Sequence, residues 1–166
     1  MARSIYQSKT FDWSGLYGQI RHLIEDITGL DGKHVIMDYT SNELPSYPYV
    51  TISSVNKTAE VANSLHSREK EIADYLIQIT CYSDNGNETL MMADDIATLL
   101  FDPQYKSTFH QYGAVLKECD YTSGSTNDFA GLFNVSARSL SMKLTLYRNY
   151  QSKIEKINGL DGLNKQ

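Results

Sequence analysis

The sequence predicts an α+β fold: a mostly antiparallel sheet of about five strands with two main helices packed on one face. Three observations carry this. Leu140, Met142, Leu144 and Leu146 alternate with Ser141, Lys143, Thr145 and Tyr147, as in a half-buried antiparallel strand. Two other stretches, 12–28 and 87–101, repeat their apolar residues at helical spacing. Strands in series, with one helix before them and one among them, make an antiparallel or mixed sheet with its helices on one side.

Residues 1–10 are polar, either loose or an arm that docks on a neighbour. The helix over 12–28 aligns Trp13, Leu16, Tyr17, Ile20, Leu23, Ile24 and Ile27. Gly15 and Gly18 weaken its first turns by up to ~1 kcal/mol each relative to Ala, and Gly29 is a natural stop. A turn through Asp31-Gly32 leads into a short strand over 33–39. The stretch 40–48 holds Pro45 and Pro48 and reads as a loop, and 49–55 is a strand with Val50 and Ile52 on one face. Residues 56–71 show little apolar periodicity and read as a long connection, a feature that in compact domains is usually functional or disordered. Within it, Val61, Ala62 and Leu65 are spaced for one helical turn or a small apolar anchor.

The next unit, strand then turn then helix, is the centre of the chain. Over 72–82, Ala73, Tyr75, Ile77, Ile79 and Cys81 share one face, with Asp74, Gln78 and Thr80 on the other and Leu76 among them. Ser83-Asp84-Asn85-Gly86 breaks the strand, and Asn85 with Glu88 resembles a capping box. The helix that follows places Leu90, Ala93, Ile96, Ala97, Leu100 and Phe101 on its apolar side. Asp102-Pro103 ends it, because a residue before proline avoids the α region. Residues 105–112 add a short helical turn. A strand over 114–121 sets Val115, Cys119 and Tyr121 against Leu116 and Glu118, 122–131 is a polar loop, and 140–150 is the last strand. The tail 151–166 keeps Ile154, Ile157, Leu160 and Leu163 at spacing three, too short and glycine-broken to fold alone. Residues 1–150 thus form one domain, followed by the tail 151–166.

Composition narrows function. At 166 residues one domain can bury roughly 70% of its unfolded surface. The net charge of -5 with no basic patch argues against binding nucleic acid through phosphate neutralisation. Two cysteines make no disulfide framework, no apolar run nears the ~20 residues that span a membrane, and the first residues lack a signal peptide's apolar run. Twelve tyrosines suit protein–protein contact, or simply fill strand positions.

Catalytic chemistry finds no footing. His22, His34, His66 and His110 are not paired at metal spacing. Cys81 with His34 or His110 would make a nucleophile and base, but a buried structural thiol explains Cys81 better. Residues 84–88 lack the order of a calcium loop, and adjacent helical positions point Asp94 and Asp95 about 100° apart, onto a solvated face. No cofactor is implied.

Three segments and the first helix resemble bacteriophage tail and neck terminator proteins. They are Ser46-Tyr47-Pro48-Tyr49-Val50-Thr51-Ile52, Ile77-Gln78-Ile79-Thr80-Cys81-Tyr82-Ser83-Asp84 and Leu144-Thr145-Leu146-Tyr147-Arg148, with Leu23 to Leu30 ending the helix. The resemblance spans about 11–150 and implies a structural virion protein of the neck, assembled in the host cytoplasm. It implies a hexameric ring that stops tail-tube polymerisation and joins the tail to the head connector. The partners it implies are further copies, the tail tube protein and a head-completion or connector protein. It further implies that DNA passes through the ring without specific binding and that no membrane is involved. The resemblance also points the 56–71 connection at a neighbouring subunit or ring. On that expectation Lys57, Glu60, Val61, Leu65, Arg68, Glu69 and Lys70, with Ile154, Ile157 and Leu160 of the tail, are interface residues. The rival readings are another head-completion or connector adaptor of the neck, and an intracellular module with a small-ligand pocket.

Overall fold

The structure, a computed structural model, describes residues 8, 10–38, 43–53, 56–63, 70–122 and 135–149. In chain order it has α1 (Trp13–Thr28), β1 (Val35–Met37), β2 (Tyr49–Ile52), β3 (Asn56–Asn63), β4 (Lys70–Ser83), α2 (Gly86–Leu99), α3 (Pro103–Thr108), a 3-10 turn (Phe109–Tyr112), β5 (Ala114–Tyr121) and β6 (Ser136–Asn149). The fold is α+β, with a six-stranded, mostly antiparallel sheet.

The two longest strands organise it. β4 and β6 pair antiparallel along their whole lengths, from Lys70↔Asn149 to Ser83↔Ser136. β5 lies on the other side of β6. β2 and β3 share the remaining edge of β4: β2 pairs with Ile79–Tyr82, and β3 with Glu71–Leu76. β1 pairs parallel to β2, the one parallel contact among these strands.

Alternation decides which face is buried. Ala73, Tyr75, Ile77, Ile79 and Cys81 of β4 and Leu140, Met142, Leu144 and Leu146 of β6 all point to one side. There they meet Leu16, Ile20, Leu23 and Ile24 of α1 and Met92, Ala93 and Ile96 of α2 in one core. The opposite face has no helix of the described residues on it and carries Asp74, Gln78, Lys143 and Thr145. Tyr49 and Tyr82, register partners, stack there at 4.8 Å, with Tyr47 5.5 Å from Tyr49. Tyr49 and Tyr82 fill strand positions, as one of the two sequence readings expects, and Tyr47 lies just before β2.

The helix ends follow local chemistry. The Asp12 carboxylate accepts the Gly15 N–H at 2.9 Å to cap α1, and Gly29 (φ 70°) closes it. A side chain at Gly15 would strike that carboxylate, so this glycine serves the cap as well as weakening the helix. Asn85 caps α2 by accepting from Asn87 N–H. The expected capping box is relayed: Ser83 Oγ donates to Glu88 and accepts from Asn85 N–H, so Glu88 supports the cap through Ser83. Asp102 caps α3 with Pro103 at its first turn.

Three sequence expectations are corrected. The 56–71 connection is not all loop, since 56–63 is strand β3, which replaces the helical turn that is one of the two readings of Val61 and Ala62. Two register shifts, at Lys57/Ala59 and Glu60/Ala62, break the period of two and hide the strand from pattern reading. In β5 a shift between Leu116 and Glu118 brings Leu116 and Cys119 to the same, core-facing side rather than to opposite ones. On α2, Leu90 is 42% exposed, while Thr89 and Met92 are buried in its place. The apolar arc is rotated because the helix seats through Met92, Ala93 and Ile96. The first strand is shorter than expected at Val35–Met37, and the last begins earlier, at Ser136. Among the described residues no helix is long and apolar enough to cross a membrane.

Candidate functional site

One end of the sheet gathers the features that the sequence left apart. Lys70 and Asn149 are register partners. Paired Cα atoms across an antiparallel ladder lie ~4.5–5.5 Å apart. The chain therefore returns from 64–69 and departs into 150–166 at adjacent backbone positions. The two segments named as interface from sequence attach side by side.

This end is closed by charge. Glu71, one residue in, is buried, and its Oε2 accepts from Arg148 Nε at 2.8 Å and from a second Arg148 nitrogen, so that both donors share one carboxylate oxygen. Lys57 of β3 reaches its other oxygen. Burial pushes the Glu71 carboxyl up, but hydrogen bonds from Lys57 and Arg148 outweigh it and hold the group below its ordinary value. The Arg148 guanidinium sits 5.6 Å from the centre of the Tyr75 ring, and Trp13 meets the same ring edge-on at 5.4 Å, with Phe11 against Trp13. The network thus links β3, β4, β6 and the segment leading into α1.

Of the interface residues expected from sequence, Lys57 lies in this network. Glu60 and Val61 are on β3, and Lys70 opens β4. Leu65, Arg68, Glu69, Ile154, Ile157 and Leu160 lie outside the described residues. Sequence reasoning missed Arg148, although a signal was present. Arg148 continues the inward register of Leu140, Met142, Leu144 and Leu146, so a cation falls where an apolar residue was due.

The helix-free sheet face neutralises itself. Asp74 accepts from Thr145 at 2.6 Å, and Lys143 lies 3.6 Å from Asp74 and 3.9 Å from Glu118. With Ile72, Lys117 and Tyr147 these residues line an open groove of about 350 Å³.

The outer face of α2 is different. Leu90, Met91 and Leu99 are exposed there, at 42%, 60% and 38%. Asp94 and Asp95 lie between them, and the Tyr121 hydroxyl donates to Asp94 at 3.3 Å. Among the described residues no cation lies within ion-pair distance of either carboxylate.

Among the described residues no catalytic centre is assembled. Cys81 is fully buried, and burial, aided by nearby Cys119, pushes its thiol up to about 12, where a thiolate nucleophile is inaccessible. His34 serves elsewhere: its Nδ1 is 2.7 Å from Asp31 and its Nε2 3.4 Å from Ser46, tying the approach to β2 back to the turn after α1. No group of three His, Cys, Asp or Glu among the described residues could hold a metal ion.

Comparison with known proteins agrees with the resemblance read from the residues. The family model described as phage neck terminator protein matches residues 14–123, from α1 to just past β5. No curated protein matches the sequence. A chain in the solved virion of a native gene transfer agent particle aligns over 81% of this chain and 91% of its own length, at 11% identity and a TM-score of 0.42. On the strength of the family match, which covers well over half of its length, the chain belongs to the phage neck terminator protein family.

Proposed function

We propose that this chain forms a ring, six-fold in symmetry, at the head-proximal end of a phage tail. There it stops tail-tube polymerisation and joins the tail to the head connector. Family membership supports a structural role in the neck. The observation that carries the finer reading is the Lys70↔Asn149 pairing. It brings the 64–69 connection and the 150–166 tail to one end of the sheet, a single place from which two segments reach a neighbour. Six copies at -5 each carry -30, and a net acidic ring suits DNA that must slide through without being gripped by its phosphates. Domain 1–150 is the body of the subunit, and 151–166 packs on an adjacent subunit or neighbouring ring protein.

The edges of the sheet bear on how copies meet. β3 and β5 both carry register shifts, and β1 has only three residues. Bulged or short edges resist continuous strand addition. Ring contacts made by side chains and by the emerging segments therefore suit this fold better than a sheet running from copy to copy.

A second reading, another head-completion or connector adaptor of the neck, shares the ring and differs in its partners. Binding of the purified chain to tail tube protein and to portal-side proteins separates the two. Capture of the tube end supports the terminator, and capture of portal-side proteins alone supports the adaptor. Truncation after Tyr150 tests the tail, since wild-type particle yield from that variant would make the tail dispensable.

A further inference from the structure

The outer face of α2 plays no part in the core, in the Glu71 network or in the departure of the two segments. We propose that it is the docking site for the C-terminal tail of a neighbouring copy, with residues 153–157 lying across Met91, Asp94 and Asp95. The proposal rests on the ring reading above, because it needs copies side by side.

The chemistry of the two partners is complementary. At 3.6 residues per turn, Leu90-Asp94-Thr98 and Met91-Asp95-Leu99 form two parallel ridges. Each ridge has an apolar residue at its start and a carboxylate in its middle. From Gly86 to Asp102 the chain contains Glu88, Asp94, Asp95 and Asp102 and no lysine, arginine or histidine. The tail offers the inverse. Lys153-Ile154-Glu155-Lys156-Ile157 places two isoleucines at spacing three with two lysines beside them. Apolar residues meet at the start of the ridges while the lysines meet Asp94 and Asp95, neither of which has a cation within ion-pair distance among the described residues. Tyr121 braces this platform by donating to Asp94. The sheet groove is a poorer host, since Asp74, Lys143 and Glu118 already answer one another.

Reach decides between a subunit's own tail and its neighbour's. At ~3.3 Å per strand residue, Asn149 lies ~43 Å along β6 from the level of Ser136, the partner of Ser83. Met91 is no further than ~18 Å from Ser83, by three extended residues and five helical ones. A subunit's own Asn149 is therefore at least ~25 Å from its Met91, whereas Ile154, five residues on, extends at most ~18 Å. Lys153 and Ile154, which the docked stretch must also lay on the platform, do not reach it in their own subunit, although Ile157, eight residues on at up to ~28 Å, spans the distance. A neighbour's tail has no such restriction.

Disulfide trapping in assembled particles tests this. Two full-length chains, one carrying Met91→Cys and the other Ile157→Cys, are co-expressed during infection by a phage lacking the wild-type copy. The native Cys81 and Cys119 are buried and do not compete. Mild oxidation is expected to give an inter-chain dimer at least roughly tenfold above either chain alone, because tethering in the ring raises the local thiol concentration to the millimolar range. Asp94→Lys with Asp95→Lys should abolish the dimer, and adding Lys153→Glu with Lys156→Glu should restore it. A particle whose neck ring is intact by imaging but yields no inter-chain dimer overturns the docking proposal and leaves the ring standing. So does a cross-link that forms only within a chain bearing both cysteines. A single copy of the chain in the neck would overturn the ring and the docking together.

Discussion

Glu71 and Arg148 face each other across the β4–β6 ladder immediately beyond Ala73 and Leu146, so an ion pair between a buried carboxylate and a half-buried guanidinium ends the apolar register. They are 77 residues apart in sequence, and their side chains lock the ends of the two longest strands together. Removing Glu71 leaves the half-buried Arg148 charge without its partner, at a cost below the about 3–5 kcal/mol of a fully buried pair. Glu71→Ala should therefore lower the melting temperature markedly, and Glu71→Leu with Arg148→Met should recover most of the loss. An unchanged melt for Glu71→Ala would remove the pair from the account.

The same pair sets a pH dependence. The folded Glu71 carboxyl is held below its ordinary value of 4.5, so the unfolded chain takes up a proton first on acidification. Its stabilisation is complete above that value and is lost as pH falls through the lowered one. Chemical denaturation at pH 7 and at pH 3 should show a loss for the wild type that is smaller for Glu71→Gln. Equal losses in both proteins would contradict the assignment.

Leu144 lies fully buried between Tyr75 and Leu116, its register partners on β4 and β5. Leu144→Asp introduces a carboxylate with no partner into the core and should leave the protein unfolded or aggregated. A soluble variant that melts like the wild type would show that the core is misassigned.

The 64–69 connection should be separable from the fold. The ladder partners Asn63 and Glu71 fix where β3 and β4 meet, so a short Gly/Ser linker in place of 64–69 should leave a folded, soluble chain. Under the proposed function, particles carrying it have tails of uncontrolled length, or tails that do not join heads. Normal infectious particles would take this connection out of the mechanism.

How much of this was legible depended on periodicity. β4, β6, α1 and α2 were readable because each buries one face along an uninterrupted run, so period two or period 3.6 survives in the sequence. β3 was not, because its two register shifts destroy the alternation and an edge strand needs little apolar content. The shift between Leu116 and Glu118 likewise reversed the reading of Cys119. The exposure of Leu90 follows from how α2 is rotated against the sheet, a tertiary fact that no helical wheel contains. The candidate site was half legible. Lys57 and Lys70 fall in the 56–71 connection that the resemblance points at a neighbour, but their place beside Arg148 and Asn149 depends on long-range pairing between β4 and β6.

The central claim is a ring of this chain at the neck. Symmetry-averaged imaging of the neck in intact particles, with this chain identified by a fused label, tests it most directly. The account predicts six copies of the chain in one closed ring at the head-proximal end of the tail tube. A ring of another order, or a single copy, would contradict it.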